Sequence, residues 1–381
     1  MNGHSVKSAI IPAQFPFSRY DYDMNIYPSH RYALAIWRDW SKRHPISLSE
    51  FHQSGKRRGV SIPAQLLPSS SSIKTCASTK DEIARALSGL PSESVATLTQ
   101  CAAASGRKSS IEILVGKKPG VKSSPAVSRH QCVRHMPRKA FLEVFPGVWV
   151  SSPELVYAQM AARMTYGELL ALGYELCGSY PVEGKGGFLV RRPLTTPERL
   201  LSFLSQLPDM RSVKLARSAA AQVRRKSASV METEIAIATL TSRRRGGLGL
   251  PDAQLNAPFV LSEKGRRVAR QQSIVGDLCW WERRVVVEYD GRDSHSGDSA
   301  HVRDSRRRDA LLVEGVSVTT VTASQFASVY EFAELMGEVS KKVGKRFRGW
   351  ATGQIERHME LRSQVRKFHR EAEFCATNSA K

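Results

Sequence analysis

A chain of 381 residues with 41% hydrophobic residues is long enough for roughly two or three domains and at least one substantial core. The formal net charge of +22 indicates a polyanionic partner, with nucleic acid expected before an anionic membrane surface. No apolar run approaches the length of a membrane span, and the polar N-terminus lacks a secretory signal, so we expect a cytoplasmic protein with no membrane partner. The six cysteines are scattered without a Cys-x-x-Cys pair, which indicates reduced thiols rather than a disulfide framework or a cysteine zinc site.

The first part of the chain contains one helical pattern among polar stretches. Apolar residues recur at i, i+3, i+4 and i+7 across Arg31–Arg43, which predicts an amphipathic helix whose aromatic rings face a core in preference to a nucleic acid. We therefore expect residues 1–66 to form a small, mainly helical region. Residues 67–135 look linker-rich, because Pro68–Lys80 contains a run of serines and Gly116–Arg129 is basic and rich in Gly, Pro and Ser.

Residues 136–215 have the pattern of an α+β middle domain. Gly147–Ser151 is a short run of β-forming residues, and a helix-start signature after it predicts a helix over Pro153–Met164. The helical pattern continues over Tyr166–Leu176. Strand and helix are therefore both expected in this part of the chain.

In residues 216–345, stretches whose apolar residues recur with the helical period alternate with stretches whose apolar residues recur with the strand period. The predicted order is helix, three strands, helix and strand, followed by another helix. The predicted elements are Ser229–Thr241, Gln254–Leu261, Ser273–Leu278, Arg284–Tyr289, Ala300–Glu314, Val316–Thr322 and Ser324–Val343. Residues 346–381 have the pattern of a basic helical tail, whose charges are more typical of a solvated face than of a binding element. We expect an α/β protein with a C-terminal αβββαβ domain, preceded by a mainly helical N-terminal and middle region.

Two short apolar runs of this domain end at carboxylates. Asp277 lies near the end of Ser273–Leu278, and Glu288 and Asp290 lie at the end of the run that begins at Arg284. If a tight turn joins the two runs, Asp277 lies beside Glu288, where carboxylates without a compensating cation repel each other. Hard divalent ions such as Mg²⁺ take oxygen ligands of this kind, so the pattern predicts a metal site on a β-hairpin. The plainer alternative is that Asp277 caps a turn and Glu288 pairs with an arginine.

The order of these residues resembles a known nuclease family. Asp, a hairpin, Glu-x-Asp-Gly, a nearby His and then Asp-x-x-Arg-x-x-x-Leu-x-x-x-Gly is similar to the DUF559 branch of the PD-(D/E)XK superfamily, a relative of the very-short-patch repair endonucleases. The resemblance covers roughly residues 224–345, and its further pieces are Ser229-x-x-Glu232, Gly246-Gly247-Leu248-Gly249-Leu250-Pro251 and Asn256-Ala257-Pro258. It implies a restriction-endonuclease-like fold that hydrolyses DNA phosphodiesters with Mg²⁺ or Mn²⁺.

The resemblance also implies roles for the residues of the predicted site. Asp277 and Glu288 would hold the ion together with the peptide carbonyl of Tyr289. Glu232, on the first helix of the domain, would reach the same site. The pattern Ser229-x-x-Glu232 is also that of a capping box, which gives this glutamate a purely local alternative role.

The general base is where the chain departs from the basic superfamily pattern. Asp290 stands where the superfamily usually has Lys, although Glu-x-Asp-Gly is normal for the DUF559 branch. His295 resembles the essential His of the repair endonucleases, and imidazole suits proton removal. A loop His without a catalytic role is the alternative, and His301 is a second candidate. Arg307 would contact the phosphate, or else form a surface ion pair with Asp304.

Basic residues cluster in sequence around the predicted site. Lys and Arg neutralise backbone phosphates without reading the sequence, and the alternative is a set of solvated surface charges. The residues predicted to contact nucleic acid are Arg243, Arg244, Arg245, Arg303 and Arg306.

The middle region resembles a second group of proteins. Short strings at residues 151–154, 175–178 and 193–196 are similar to the region that precedes this nuclease domain in many bacterial proteins. Those proteins are similar to the antitoxin half of abortive-infection type IV toxin–antitoxin systems. The resemblance implies a cognate toxin or another defence partner in addition to DNA.

We therefore expect a Mg²⁺-dependent DNA endonuclease acting in phage defence or DNA repair. A non-catalytic, DNA-binding regulator of the antitoxin type is the first alternative, and an RNA-acting nuclease is the second. The intact set of Asp277, Glu288, Asp290 and His295 favours the enzyme.

Overall fold

The computed structural model describes most of the chain and contains both helices and strands. The described residues are 25–47, 67–73, 76–77, 79–104, 111–116, 126–132, 134–182, 189–291, 298–345 and 349–378. Within these ranges no helix combines the length and the apolar character needed to cross a membrane.

The N-terminal and middle parts of the chain combine helices with short strands. The helices are α1 (His30–Arg43), α2 (Lys80–Ser88), α3 (Ser92–Ala104), α4 (Pro153–Met160), α5 (Tyr166–Cys177), α6 (Pro197–Ser205) and α7 (Val213–Ala220). The strands are β1 (Pro45–Ser47), β2 (Ser69–Ser70), β3 (Ile111–Val115), β4 (Val127–Gln131), β5 (Phe141–Phe145), β6 (Val148–Ser151), β7 (Pro181–Val182) and β8 (Leu189–Arg191). They form the sheets β1-β8-β7 and β2-β5-β6 and the parallel pair β3-β4. The prediction of a mainly helical region does not include most of these strands, although the described helices contain more residues than the strands do.

Several of these strands escape prediction because their partners lie far away in sequence. Strand β2 lies inside the stretch predicted to be a linker and pairs with β5, so that Ser69 lies opposite Leu142. Strand β4 begins at Val127, inside the same linker-rich stretch, and pairs with β3. Strands this short carry little periodicity of their own, and their stability comes from distant partners that local composition does not reveal.

Helix α1 confirms the helix predicted over Arg31–Arg43 and lies within the core. Trp37 is fully buried, and its Nε1 donates a hydrogen bond to the carbonyl of Ser151 at 2.8 Å. A buried indole whose N–H has a partner is a packing residue. The preference for a core helix over a nucleic-acid stacking platform is therefore confirmed.

The C-terminal part confirms the predicted order of elements. It contains α8 (Val230–Leu240), β9 (Gln254–Val260), α9 (Glu263–Ala269), β10 (Ser273–Trp280), β11 (Val285–Asp290), α10 (Asp298–Val313), β12 (Ser317–Thr322), α11 (Ala323–Ala327), α12 (Val329–Lys342) and α13 (Gln354–Asn378). The order in the sheet is β12-β11-β10-β9. Strand β10 is antiparallel to both β9 and β11, whereas β12 runs parallel to β11 after the crossover through α10.

Two details of this part differ from the prediction. Helix α9 is inserted between β9 and β10, where no helix is predicted. The helix predicted over Ser324–Val343 is divided at Ser328, whose backbone is extended with φ −78° and ψ 118°. The Ser328 hydroxyl caps α12 by accepting a hydrogen bond from the amide of Glu331 at 3.3 Å.

The C-terminal sheet is packed on both faces, and this packing positions the candidate site. Val285 faces the large core that is shared with the middle part of the chain, whereas Val286 faces a smaller cluster beneath α10. Because side chains alternate along a strand, Glu288 lies on the α10 face with Val286. By the same alternation Asp277 shares that face with Cys279.

Helix α13 joins the middle part of the chain to the C-terminal part. On α5, the amide of Gly167 donates to Gln364 Oε1 at 2.8 Å. On α8, Glu234 Oε1 lies 3.2 Å from His369 Nδ1, and both side chains are buried. The segment predicted to be a basic, solvated tail is therefore a structural element of the fold.

Candidate functional site

A hairpin of β10 and β11 brings the two predicted metal ligands together. The turn between the strands is a short 3-10 helix at Trp281–Arg283, where a tight turn is predicted. Leu278 lies opposite Val287 in the antiparallel register. The next residues in that register are Asp277 and Glu288, and both lie on the face of the sheet covered by α10.

Asp277 is a half-buried carboxylate whose charged form is disfavoured. Burial raises its pKa to about 6, the charge of Glu232 contributes to the rise, and the Tyr289 amide and Arg307 oppose it. The Tyr289 N–H donates to Asp277 Oδ2 at 2.9 Å. In a strand the N–H and C=O of one residue point to the same side, so the Tyr289 carbonyl also faces the strand of Asp277.

Glu288 is held by an arginine. Arg307 Nη1 donates to Glu288 Oε2 at 2.8 Å, and Arg307 Nη2 donates to Glu288 Oε1 at 2.5 Å. The same guanidinium donates to the carbonyl of Val275. Burial raises the pKa of Glu288, Arg307 opposes the rise, and the charge of Asp277 adds to it. The pairing of Glu288 with an arginine, which was the plainer alternative, is therefore present.

Glu232 is bound locally and also acts on the carboxylate pair. Its amide donates to Ser229 Oγ at 3.1 Å, which is the first half of a capping box. Its carboxylate accepts from the Ala228 amide at 2.9 Å and from Asn256 Nδ2 at 2.5 Å. Because its charge raises the pKa of Asp277, Glu232 contributes to the electrostatics of the site from the first helix of the domain.

Asn256 belongs to the site, although the sequence analysis gives it no role. On β9 it lies between two residues paired with the neighbours of Asp277, so it stands across from that carboxylate. Its φ of 44° lies in the left-handed region, which Asn tolerates better than most residues. This backbone turns the Asn256 amide toward Glu232 and the carbonyl of Lys226, which accepts at 2.8 Å. The only sequence signal is its place in the Asn-Ala-Pro piece of the resemblance.

Asp277 and Glu288 line a cleft of about 360 Å³ beside α10. The residues that line the cleft are Asp277, Glu288, Tyr289, Asp290, Gly291, Asp304, Arg307, Arg308, Leu311, Val318 and Thr320. Four of them are carboxylates and two are arginines, so the cleft can hold a cation at one place and a phosphate at another.

The remaining predictions for this side of the domain have mixed outcomes. His295 lies outside the described residues, as does the side chain of Arg303. Arg306 is half-buried and does not line the cleft, whereas Arg308 does, although it is not among the predicted contacts. Neighbouring arginines on one helix point in different directions, and only the packing of α10 selects which of them face the cleft.

Two of the arginines predicted to contact nucleic acid have structural partners. Arg243 donates to the carbonyl of Gly349 at 2.6 Å and to Gln354 Oε1, which ties the start of α13 to the turn after α8. The guanidinium of Arg245 lies over the ring of Tyr166, 4.5 Å from its centroid. Arg244, between them, is exposed. Arg243 is therefore a structural anchor in this structure, and phosphate binding by the run stays a prediction, with Arg244 as its exposed middle member.

Replacement of Arg243 and Arg244 by alanine is expected to have unequal effects on stability. Arg243→Ala should lower the free energy of unfolding by roughly 1–3 kcal/mol, because the buried Gln354 side chain and the half-buried Gly349 carbonyl lose their donor. Arg244→Ala should change it by less than about 0.5 kcal/mol, as is usual at an exposed position. Urea unfolding of both variants measures the difference, and equal effects would contradict the anchoring role of Arg243.

Comparison of the chain with known proteins finds no matching family model, no matching curated protein and no matching solved structure.

Proposed function

We propose that the chain is a metal-dependent endonuclease that hydrolyses DNA phosphodiesters on a restriction-endonuclease-like domain of the PD-(D/E)XK type. The observation that carries the proposal is the pair Asp277 and Glu288, which face one cleft from adjacent strands and have raised pKa values. Half-buried carboxylates that share one cleft are unfavourable unless a cation compensates them, and such arrangements are concentrated at functional sites. The αβββαβ order and the net charge of +22 support the same proposal.

The ligand atoms fit Mg²⁺ or Mn²⁺. The carboxylates of Asp277 and Glu288 and the carbonyl of Tyr289 are hard oxygen donors of the kind these ions prefer. When bound, such an ion lowers the pKa of water and stabilises negative charge on a phosphate. Glu232 adds negative charge nearby, which further favours a cation at this place.

Arg307 has two tasks in the proposed reaction. Without an ion it neutralises Glu288 through its paired N–H groups. The guanidinium fork that fits a carboxylate also fits a phosphate. Once Glu288 serves as a ligand, Arg307 is available to orient the scissile phosphate, and Arg308 lines the same cleft.

The proton of the attacking water needs an acceptor at this end of the strands. His295 remains the proposed acceptor, and it lies outside the described residues. Asp290 ends β11 and lines the cleft, so it is the alternative among the described residues. Imidazole and carboxylate are both groups that serve as general bases, and Asp290 is the one that the structure shows at the cleft.

A non-catalytic DNA-binding regulator of the antitoxin type is the second candidate. The contact between Arg307 and Glu288 favours it, because a guanidinium already engages the oxygens that would hold an ion. DNA binding by such a regulator would not depend on Mg²⁺, and its cognate toxin or defence partner would be the target of its action.

Nucleic-acid cleavage assays with the full chain test the proposal. Supercoiled DNA, linear DNA and RNA are incubated with Mg²⁺, Mn²⁺ or EDTA, and we expect metal-dependent cleavage of DNA by wild type and none by Asp277→Ala. Mn²⁺ should also raise the Tm of wild type but not that of Asp277→Ala, because only the former binds the ion in the cleft. Tight DNA binding without cleavage and equal Tm shifts would favour the regulator, and cleavage of RNA alone would change the substrate class.

A further inference from the structure

A second set of potential metal ligands lies in the N-terminal part of the chain. His30 at the start of α1, Glu112 on β3 and His130 on β4 each offer one potential ligand atom, and these atoms lie within 4.8 Å of one another. Glu112 is buried, and the two histidines are half-buried. The three residues come from distant parts of the sequence and share no motif.

The fold holds Glu112 rigidly at this point. Its Oε2 accepts a hydrogen bond from the amide of Arg31 at 2.9 Å, so this carboxylate caps α1. The Ser29 side chain, at the usual capping position, does not make that bond. The backbone carbonyl of Glu112 also accepts from the Ser29 amide at 2.9 Å. Oε1 of Glu112 is therefore left to face the two histidines.

The backbone at His30 is unusual for a residue with a side chain. Its φ of 52° lies in the left-handed region, and its amide donates to Gln159 Oε1 at 3.0 Å. Strained backbone of this kind persists where the surrounding structure enforces it and is frequent at functional sites. His30 Nδ1 lies 3.0 Å from Ser29 Oγ, a contact that orients the ring as the outer partners of metal-ligating histidines do.

Glu112 Oε1 and His130 Nε2 meet beside Arg163. Arg163 Nη1 donates to Glu112 Oε1 at 2.5 Å, and Arg163 Nη2 lies 3.3 Å from His130 Nε2. His130 Nε2 also lies 3.3 Å from Glu112 Oε1, so this nitrogen contacts both the guanidinium and the carboxylate, and its role as donor or acceptor depends on the tautomer. The imidazole nitrogen and the carboxylate oxygen therefore both face a single cation, which here is the side chain of Arg163.

One pair of these atoms has the spacing of ligands around a small ion. Two ligands of a tetrahedral ion with bonds of about 2.0–2.1 Å stand about 3.3 Å apart. His130 Nε2 and Glu112 Oε1 are 3.3 Å apart.

We propose that His30, Glu112 and His130 form a binding site for a borderline transition-metal ion, with Zn²⁺ as the preferred ion. Two imidazoles and one carboxylate are a donor set typical of zinc sites that keep an open fourth position. The site is distinct from the oxygen-rich cleft of the C-terminal domain, which suits Mg²⁺ or Mn²⁺. Its existence does not depend on the proposed nuclease activity.

Arg163 competes with the metal for this site. Its side chain is 37% exposed, so it can turn toward solvent and leave the position that it shares with Glu112. A positive charge that stays beside the ligands would oppose a divalent ion. If the site binds a metal, removal of the Arg163 charge is expected to strengthen that binding. If the ion pair is purely structural, its loss would only weaken the fold.

Cobalt titration of the untagged full chain tests the site in an Asp277→Ala background, which removes the first predicted metal site. We expect one Co²⁺ per chain with the visible absorption of a tetrahedral complex, displaced by Zn²⁺ and not by Mg²⁺. Arg163→Gln should bind Co²⁺ at least about tenfold more tightly. His130→Ala should lose the absorption while its far-UV circular dichroism stays that of the parent.

The outcomes separate clearly. Absence of the absorption in both the parent and Arg163→Gln, or its persistence in His130→Ala, would overturn the proposal. If His130→Ala does not fold, Glu112→Gln takes its place, because the amide oxygen can still accept from the Arg31 amide but is a poorer metal ligand. DNA cleavage is not part of the readout, so failure of the nuclease proposal leaves this test intact.

Discussion

The Asp277→Asn variant is expected to be more stable than wild type in metal-free buffer at pH 8. Burial and the charge of Glu232 raise the pKa of Asp277 to about 6, so the folded state disfavours the ionised carboxylate. Asparagine removes that charge, and its side-chain oxygen can still accept from the Tyr289 amide. The gain in unfolding free energy should be roughly 1–3 kcal/mol, since each unit of pKa shift corresponds to about 1.4 kcal/mol.

The pH dependence of this gain has a definite sign. A folded-state pKa above the ordinary value of 3.8 means that the folded protein binds the proton more tightly than the unfolded chain. Wild type therefore gains stability as the pH falls through about 6, and the advantage of the variant disappears below about pH 4. Urea unfolding between pH 4 and pH 8 measures the difference. Asp309→Asn, at an exposed position of α10, is the control for general removal of negative charge.

An Asp277→Asn protein that is less stable than wild type at pH 8 would contradict this account. It would mean that the carboxylate stabilises the hairpin through its hydrogen bond more than its burial destabilises it. We expect Asp277→Asn to gain stability and to lose cleavage, because a residue that is needed for activity can lower the stability of the fold.

Glu288→Gln is expected to abolish cleavage and to leave DNA affinity equal to that of wild type or higher. Loss of a ligand charge should lower the cleavage rate by at least about 10²–10⁴-fold, which corresponds to several kcal/mol of lost charge stabilisation. The neutral amide no longer repels phosphate, and Arg307 is no longer bound in an ion pair, so binding of DNA should not weaken.

Single-turnover cleavage and metal-free binding measurements on the same preparation check both parts of this expectation. Glu282→Gln is the matched control, because Glu282 is exposed at the other end of the same hairpin. Cleavage at the wild-type rate by Glu288→Gln would exclude Glu288 as a ligand. Loss of DNA binding without metal would instead indicate that the contact with Arg307 is structural.

The sequence by itself determined the hairpin and the elements around it. The runs that become β10 and β11 contain apolar residues bounded by charged ones, and the resulting strands place Asp277 beside Glu288 in register. Alternation with period two then assigns both carboxylates to one face. Helix α1 and the αβββαβ order follow from local periodicity in the same way. Signals of this kind lie within a few residues of each other, so they can be read without knowledge of the fold.

The tertiary structure alone decided which charged groups meet. Arg307 binds Glu288, Arg243 binds the start of α13, and His30 meets Glu112 although they lie far apart in the sequence. The sequence offers many carboxylates and carbonyls that could accept from a given arginine, and composition does not show which of them does. The choice depends on which helix packs on which sheet face, and that packing is fixed by burial of apolar side chains from the whole chain.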